Sequence, residues 1–356
     1  LRRIKQLGLT SLVYPGAQHT RFQHVIGAMH LMDLAIKSLR SKDVSISVDE
    51  EIATLLAILL HDIGHGPFSH SLEHSILPGV HHEDISSVLM EQINIQMNGK
   101  LDLAIEIFEN KYPRTFLHQL VSSQLDMDRL DYLRRDSFYT GVSEGTVGIE
   151  RIIQMLNVKN NQLIVDQKGI YSVEKFLMAR RFMYWQVYLH KTGIAADMMM
   201  LNILKRAKEL IENGKELFAS PYLTFFLKNE FSKDDLRNPE VLWNFCNLDD
   251  NEIISAVKVW QNSDDTTLAA LCSMIINRNL LKINISDNEF SKEEIEKRLM
   301  AISAKLNITK AEASYFVITG KLSNNTYSPY GDSLKIGMKD GSLKELSETS
   351  EIYNLA

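Results

Sequence analysis

His61-Asp62 stands at the end of an apolar helical stretch, with a lone histidine upstream at His24 and a lone aspartate downstream at Asp128. A fold that uses the four together must bring three distant segments to one point. Two imidazoles and two carboxylates suit one borderline or hard divalent ion, such as Mn, Mg, Fe, Co or Ni, and no thiolate is available to draw the set toward structural zinc. Such an ion points to hydrolysis.

Local signals let helices aim each ligand inward. Thr20-Arg21-Phe22-Gln23 has the form of a capping box, so His24 falls in the first turn of a helix continuing through Val25, Ile26, Met29, Met32 and Ile36. Arg21 then shares the face of His24. Ser47-Val48-Asp49-Glu50 is a second capping box and predicts a helix whose buried stripe is Ile52, Leu55, Leu56, Leu59 and Leu60. Adjacent helical residues diverge by about 100°, so His61 and Asp62 bind one ion only near a helix end or with one long reach. Gly64, Gly66 and Pro67 put that end here.

Most of the 11 histidines lie between His19 and His82, a concentration that a solvated face does not call for. Imidazoles beyond the ligand set, His65, His70 and His82, can carry charge toward an anionic substrate or exchange protons near neutral pH. By contrast His19, His30, His74, His81 and His118 read as surface or core-satisfied residues, Tyr184 as helix packing and Met198-Met199-Met200 as core. Asp128, Tyr132 and Asp136 recur at four-residue spacing on one helix, and Arg180, Tyr184 and Tyr188 form a second stripe with Lys191 behind it. From residue type alone Arg180 and Tyr188 are open between packing and substrate contact.

Taken in order, Arg21-Phe22-Gln23-His24, His61-Asp62-Ile63-Gly64-His65-Gly66-Pro67-Phe68-Ser69-His70, His82-Glu83 and Asp126-Met127-Asp128-Arg129-Leu130-Asp131-Tyr132-Leu133-Arg134-Arg135-Asp136 make a pattern. It resembles the HD-superfamily deoxynucleoside-triphosphate triphosphohydrolases, and Ala313-Ser314-Tyr315-Phe316-Val317 is similar to a bacterial branch of them. The resemblance is strong from Leu1 to about Met200 and more diffuse beyond. It implies that His24, His61, Asp62 and Asp128 hold the metal, that His65, His70 and His82 surround the α-phosphate, and that His70 is the general acid. Glu73 would orient His82. Gln6 matches a residue that reads the sugar 3′ hydroxyl, Arg21, Arg129, Arg180 and Lys191 match or adjoin triphosphate-side cations, and Tyr132, Asp136 and Tyr188 match sugar contacts. Arg129 replaces a lysine of some relatives, which keeps phosphate binding but changes its geometry. The family also implies a homo-oligomer, most simply a tetramer, with a second dNTP as activator.

The fold expected is mainly α: an HD-domain helical bundle with additional helices and a small C-terminal β element. Residues 1–213 would form the phosphohydrolase core, 214–307 a helical extension and 308–356 a small α/β element supplying oligomer contacts. Within this, Gln162-Leu163-Ile164-Val165 after Asn160-Asn161 suggests a short hairpin, and a long helix is expected from about Val173 to Asn213. Ser291-Lys292-Glu293-Glu294 opens another helix. Tyr315-Phe316-Val317-Ile318 and Leu334-Lys335-Ile336-Gly337, with Asp340-Gly341 as a turn, read as strands.

With 356 residues the chain can bury a substantial core. Its two cysteines, Cys246 and Cys272, make no disulfide or zinc framework, which agrees with a reducing cytoplasm. No stretch is apolar enough to span a bilayer, and a net charge of −6 argues against broad nucleic-acid affinity. Because the chain begins inside the recognisable region, an N-terminal segment is expected to precede it. Two rival functions share the ligand set or its shape: an HD-type phosphomonoesterase or phosphodiesterase on another nucleotide, and a nucleotide-sensing module that binds without turnover. The intact ligand and histidine set counts against the second.

Overall fold

The computed structural model describes residues 1–68, 79–322 and 333–350, and it is mainly helical as the sequence predicts. Helix α1 (Arg21–Arg40) opens at the expected capping box, where the Thr20 side chain accepts from the Gln23 N–H and the Thr20 N–H donates to Gln23. Helix α2 (Val48–Leu60) repeats the arrangement with Ser47 and Glu50. After α3 (His82–Gln96), α4 (Asp102–Phe108) and α5 (Thr115–Val121) comes α6 (Met127–Thr140), which Asp126 caps by accepting the Arg129 N–H at 2.6 Å. It ends at Gly141, whose φ of 76° is the left-handed conformation glycine adopts without strain.

Helix α1 packs on both α2 and α6, and the α2 stripe differs from the one expected. Beyond Glu50 of the first turn, the buried residues are Ala53, Thr54, Ala57 and Ile58, while Ile52 is half exposed and the leucines are only partly covered. Small residues explain the choice. Ala28 and Ala35 of α1 lie in the same core as Ala53 and Ala57, so the two helices approach through short side chains, and Leu55, Leu56 and Leu60 pack against the flank of that core, partly covered.

The hairpin forms as β1 (Leu156–Lys159) and β2 (Gln162–Asp166), turned by Asn160 and Asn161 with φ of 51° and 62°. It is not an isolated insertion. Strand β3 (Lys335–Gly337) pairs parallel with β2, and β4 (Leu343–Glu345) returns antiparallel, giving one sheet of order β1-β2-β3-β4. Leu334, Ile336 and Leu346 sink into the core formed by α1, α2 and α6. Tyr315-Phe316 is a 3-10 turn rather than a strand: Tyr315 donates its hydroxyl to Glu209 at 2.6 Å and accepts from Asn202 through its carbonyl. Those bonds hold the segment to a helix surface instead of a sheet edge.

The single long helix is divided. Following α7 (Ile149–Met155), α8 (Ile170–Met183) runs into a π turn at Tyr184–Tyr188, and α9 (Lys191–Glu212) starts anew with His190 accepting the Thr192 N–H. A π turn shifts the register by one residue, which periodicity alone does not reveal. Beyond it α10 (Pro221–Lys228), α11 (Pro239–Asn247), α12 (Asp250–Trp260) and α13 (Thr266–Ile276) bury a second apolar cluster against α9, with Met199 and Met200 inside it. Leu9 and Phe68 join this cluster from the N-terminal half. Helix α14 (Lys292–Leu306) opens at the expected capping box. Among the described residues no helix is long and apolar enough to cross a membrane, and both cysteines are free.

Candidate functional site

The first turn of α1, the turn after α2 and the first turn of α6 meet at one point. His24 is fully buried, with Nε2 3.0 Å from Asp128 Oδ1 and 4.0 Å from Asp62 Oδ2. His61 Nε2 lies 3.3 Å from Asp62 Oδ1 and 3.5 Å from Asp128 Oδ1. His61 is the C-cap of α2 and Asp62 lies in the turn beyond, so the pair escapes the divergence of a regular helix.

Both imidazoles are fixed through their other nitrogen. His61 Nδ1–H donates to the Ile58 carbonyl at 2.6 Å; a carbonyl only accepts, so Nδ1 keeps its proton and Nε2 is the atom that takes either a second proton or a metal ion. His24 Nδ1 is held in the same way by Asp131 Oδ2 at 2.8 Å. Nε2 of each ring is buried and finds no well-directed hydrogen bond among the described residues. Ligand atoms of His24, His61 and Asp62 lie within 4.8 Å of one another. Two such nitrogens, once deprotonated, facing two carboxylates fit a divalent cation.

The carboxylates demand positive charge between them. Burial acts to lower His24, but the close approach of Asp128, the hydrogen bond to Asp131 and the charge of Asp62 overcome it and raise the imidazole to about 10. At His61 burial is likewise outweighed, by Asp62 and Asp128, giving about 9. Asp62 and Asp128 move the opposite way against their own burial, Asp62 through His61, His65 and Arg21, Asp128 through His24 and His61. His65 differs: burial and then the Arg21 charge push it down to about 3, leaving a neutral imidazole.

His65 Nε2 lies 3.3 Å from Asp62 Oδ1, and its ring stacks on His82 at 3.8 Å. Gly64 makes this possible. A Cβ there would meet the His82 carbonyl at 2.1 Å and the Ser86 N–H nitrogen at 2.4 Å, so α3 can lie this close only against glycine. Ser86 clasps the same turn, accepting from Gly64 N and donating to the His61 carbonyl. His82 has Glu83 at 3.3 Å. His70 and Glu73, the expected acid and its companion, lie outside the described residues.

Arg21 reaches Asp62 through Nη1 at 2.8 Å. Arg129 is drawn to Asp126, a fully buried carboxylate, and that charge raises its already high pKa. Arg180 touches Gln124 at 3.5 Å and lies over the Tyr184 ring. Burial raises Tyr132, and the charges of Arg180, Tyr184, Arg129 and Asp128 all act on it. Tyr188 OH donates to Asp136 at 2.8 Å, and burial first, then Asp136, holds its phenol well above the usual range. Gln6 joins through its N–H to the His19 carbonyl. Lys191 is exposed at the start of α9, and no described contact ties it to the others.

Two residues of the site were not singled out from sequence. Asp131, besides holding His24, is gripped by Arg135 through Nε and Nη2, both at 2.8 Å. A Cβ at Gly27 would fall 2.0 Å from each of that pair, so a glycine of α1 admits it. The signal was present: Asp131 follows Asp128 by one helical turn and precedes Arg135 by another.

A family model described as HD domain matches residues 21–136, and one described as HD associated region matches residues 147–219. A crystal structure of a phosphohydrolase from Bacteroides thetaiotaomicron is 55% identical, with TM-score 0.96 over 99% of this chain and 88% of that one. The uncharacterized protein YwfO of Bacillus subtilis is 31% identical over 99% of this chain and 81% of its own length. The deoxynucleoside triphosphate triphosphohydrolase SAMHD1 homolog of Dictyostelium discoideum is 31% identical over 61% of this chain and 46% of its own.

Proposed function

The chain belongs to the HD superfamily of phosphohydrolases, and on that footing we propose that it hydrolyses a deoxynucleoside triphosphate to a deoxynucleoside and inorganic triphosphate. One observation carries the reading. Among the described residues, the buried polar atoms without a hydrogen bond include Nε2 of His24 and His61, Nε of Arg21, Arg129 and Arg180, and Oε1 of Gln6. Leaving each such atom unpaired costs about 1–3 kcal/mol, and these six of the ten such atoms among the described residues lie on residues that the sequence pattern assigns to metal, phosphates and sugar, the other four being on His19, Asp250, Glu252 and Thr267. A ligand rich in anionic oxygens satisfies the guanidinium donors, and a hydroxyl satisfies the glutamine.

A divalent ion on His24, His61, Asp62 and Asp128 would supply Lewis-acid charge at the α-phosphate. The chain's own groups do the rest. Arg21, Arg129 and Arg180 neutralise phosphate oxygens with forked donors, and Lys191 serves as a point charge at the mouth. Water attacks the α-phosphorus and releases one proton to solvent, the bond from phosphorus to the 5′ oxygen breaks, and that oxygen takes a proton from His70, which is reprotonated from solvent. His65, neutral at physiological pH, and His82 contact the α-phosphate, with Glu73 orienting His82. Tyr132, Asp136, Tyr188 and Gln6 surround the sugar, and Tyr188 leaves no room for a 2′ hydroxyl. The active form is a homo-oligomer, a tetramer in the simplest case, with a second dNTP as activator.

Hydrolysis in ¹⁸O-labelled water tests the bond assignment. The label should appear in the released triphosphate. Label in the deoxynucleoside would place attack on carbon, and a labelled orthophosphate would mark a phosphomonoesterase.

A further inference from the structure

From the sequence His19 reads as a satisfied core histidine, yet its Nδ1 has no hydrogen bond among the described residues and its other partners are the residues assigned to the sugar. Its side chain is completely buried, and its ring stacks on Tyr139 at 4.4 Å and 15°. Nε2 meets Asp136 Oδ1 at 2.7 Å, while Tyr188 OH donates to the other oxygen, Oδ2, at 2.8 Å. The His19 carbonyl accepts the Gln6 N–H at 3.0 Å, beside the bridge pairing Lys5 with Thr20. One residue thus ties together Gln6 from the N-terminal segment, Asp136 from α6 and Tyr188 from the π turn.

We propose that His19 is the positioning residue of the sugar pocket, fixing Asp136 and through it Tyr188, and so setting the discrimination between deoxyribose and ribose. The proposal rests on the reading that this pocket takes a deoxynucleotide. A carboxylate held by Tyr188 alone could turn about its terminal torsion and carry the phenol with it, because that torsion is broad. A donor on a ring immobilised by stacking pins the carboxylate plane. Steric exclusion of one hydroxyl depends on shifts far smaller than its own diameter, so the pinning group governs selectivity without touching the substrate.

The test compares His19→Gln, whose amide N–H can stand where Nε2–H stood, with His19→Asn, whose shorter side chain stops short of Asp136. KM and kcat are measured for a dNTP and its ribonucleotide counterpart in wild type and both variants, with melting temperature as the check on folding. His19→Asn should raise KM for the dNTP by about tenfold or more, with a smaller change in kcat, and lower the dNTP preference in parallel. His19→Gln should restore most of both. Combining His19→Asn with Tyr188→Phe should cost less than the sum of the two. A second measurement needs no variant: the His19 Nε2–H proton in a ¹⁵N-histidine-labelled wild type should shift on adding a non-hydrolysable dNTP analogue and stay put with inorganic tripolyphosphate. Unchanged KM and preference in a folded His19→Asn, or an equal proton response to both ligands, overturns the proposal alone. A wild type that hydrolyses no dNTP would remove the functional reading and the proposal together.

Discussion

The carboxylate of Asp131 accepts a 2.8 Å hydrogen bond from Nδ1 of His24, and this bond decides which nitrogen of the imidazole faces Asp62 and Asp128. Arg135 holds Asp131 from the far side. Outer partners of this kind tune affinity by about 10–100-fold. Asp131→Ala should therefore weaken metal binding by that order, whereas Asp131→Asn, which still offers an oxygen to Nδ1–H, should weaken it less. Competition against a chelator gives the number, and equal affinity in Asp131→Ala would detach Asp131 from the site.

The raised histidines make the stability of metal-stripped protein depend on pH in a definite sense. His24 and His61 have folded values of about 10 and 9 against an ordinary 6.5, so their contribution is complete below pH 6.5 and is lost as pH rises through 9 and 10. Asp62 and Asp128 lie below the ordinary 3.8, so theirs is present above it and is lost on acidification. Melting temperature after EDTA treatment should fall from pH 6.5 to 10. Added Mn should flatten that fall, since a bound cation replaces the protons. A stripped protein that melts higher at pH 9 than at 6.5 would reverse the assigned electrostatics.

Arg129 and Arg180 should separate in their effects. Removing the Arg129 side chain leaves buried Asp126 with the backbone N–H groups of Ser123 and residue 129 but without its cation, so Arg129→Ala should lose about 3 kcal/mol of stability as well as substrate affinity. Among the described residues Arg180 has no carboxylate partner, only a long hydrogen bond to Gln124 and the face of the Tyr184 ring. Arg180→Ala should keep its melting temperature and raise KM by about tenfold or more. Urea denaturation beside steady-state kinetics distinguishes them, and an Arg180→Ala enzyme with normal KM would take that residue out of the phosphate site.

Assembly is the fourth expectation. Phe138, Trp185 and Trp243 are each more than half exposed, at 79%, 54% and 65%, and symmetric association covers apolar surface of this kind. Light scattering during assay should find a tetramer, with the rate on one dNTP rising when a second is added. A monomer at full activity would rule out the assembly, and rates indifferent to any second dNTP would rule out the activation.

The site was more legible in the sequence than the packing around it. Capping boxes at Thr20 and Ser47 fix where α1 and α2 begin, because backbone satisfaction at a helix end is local chemistry. The position of His24 and the helix end at His61-Asp62 follow. What failed depended on partners distant in sequence. The α2 face turned inward is the alanine face because α1 offers alanines there. The π turn that aims Tyr188 at Asp136 has no signature in a 3.6-residue period. His19 reads as bland because its meaning lies in Asp136, more than a hundred residues away.

The central claim is the bond that breaks and the products that leave. Purified protein incubated with each of the four dNTPs, with Mn or Mg, alone and in mixtures, is resolved by anion exchange. At least one dNTP should give deoxynucleoside and free inorganic triphosphate in equal amounts. Orthophosphate or a nucleotide monophosphate in their place would contradict the account.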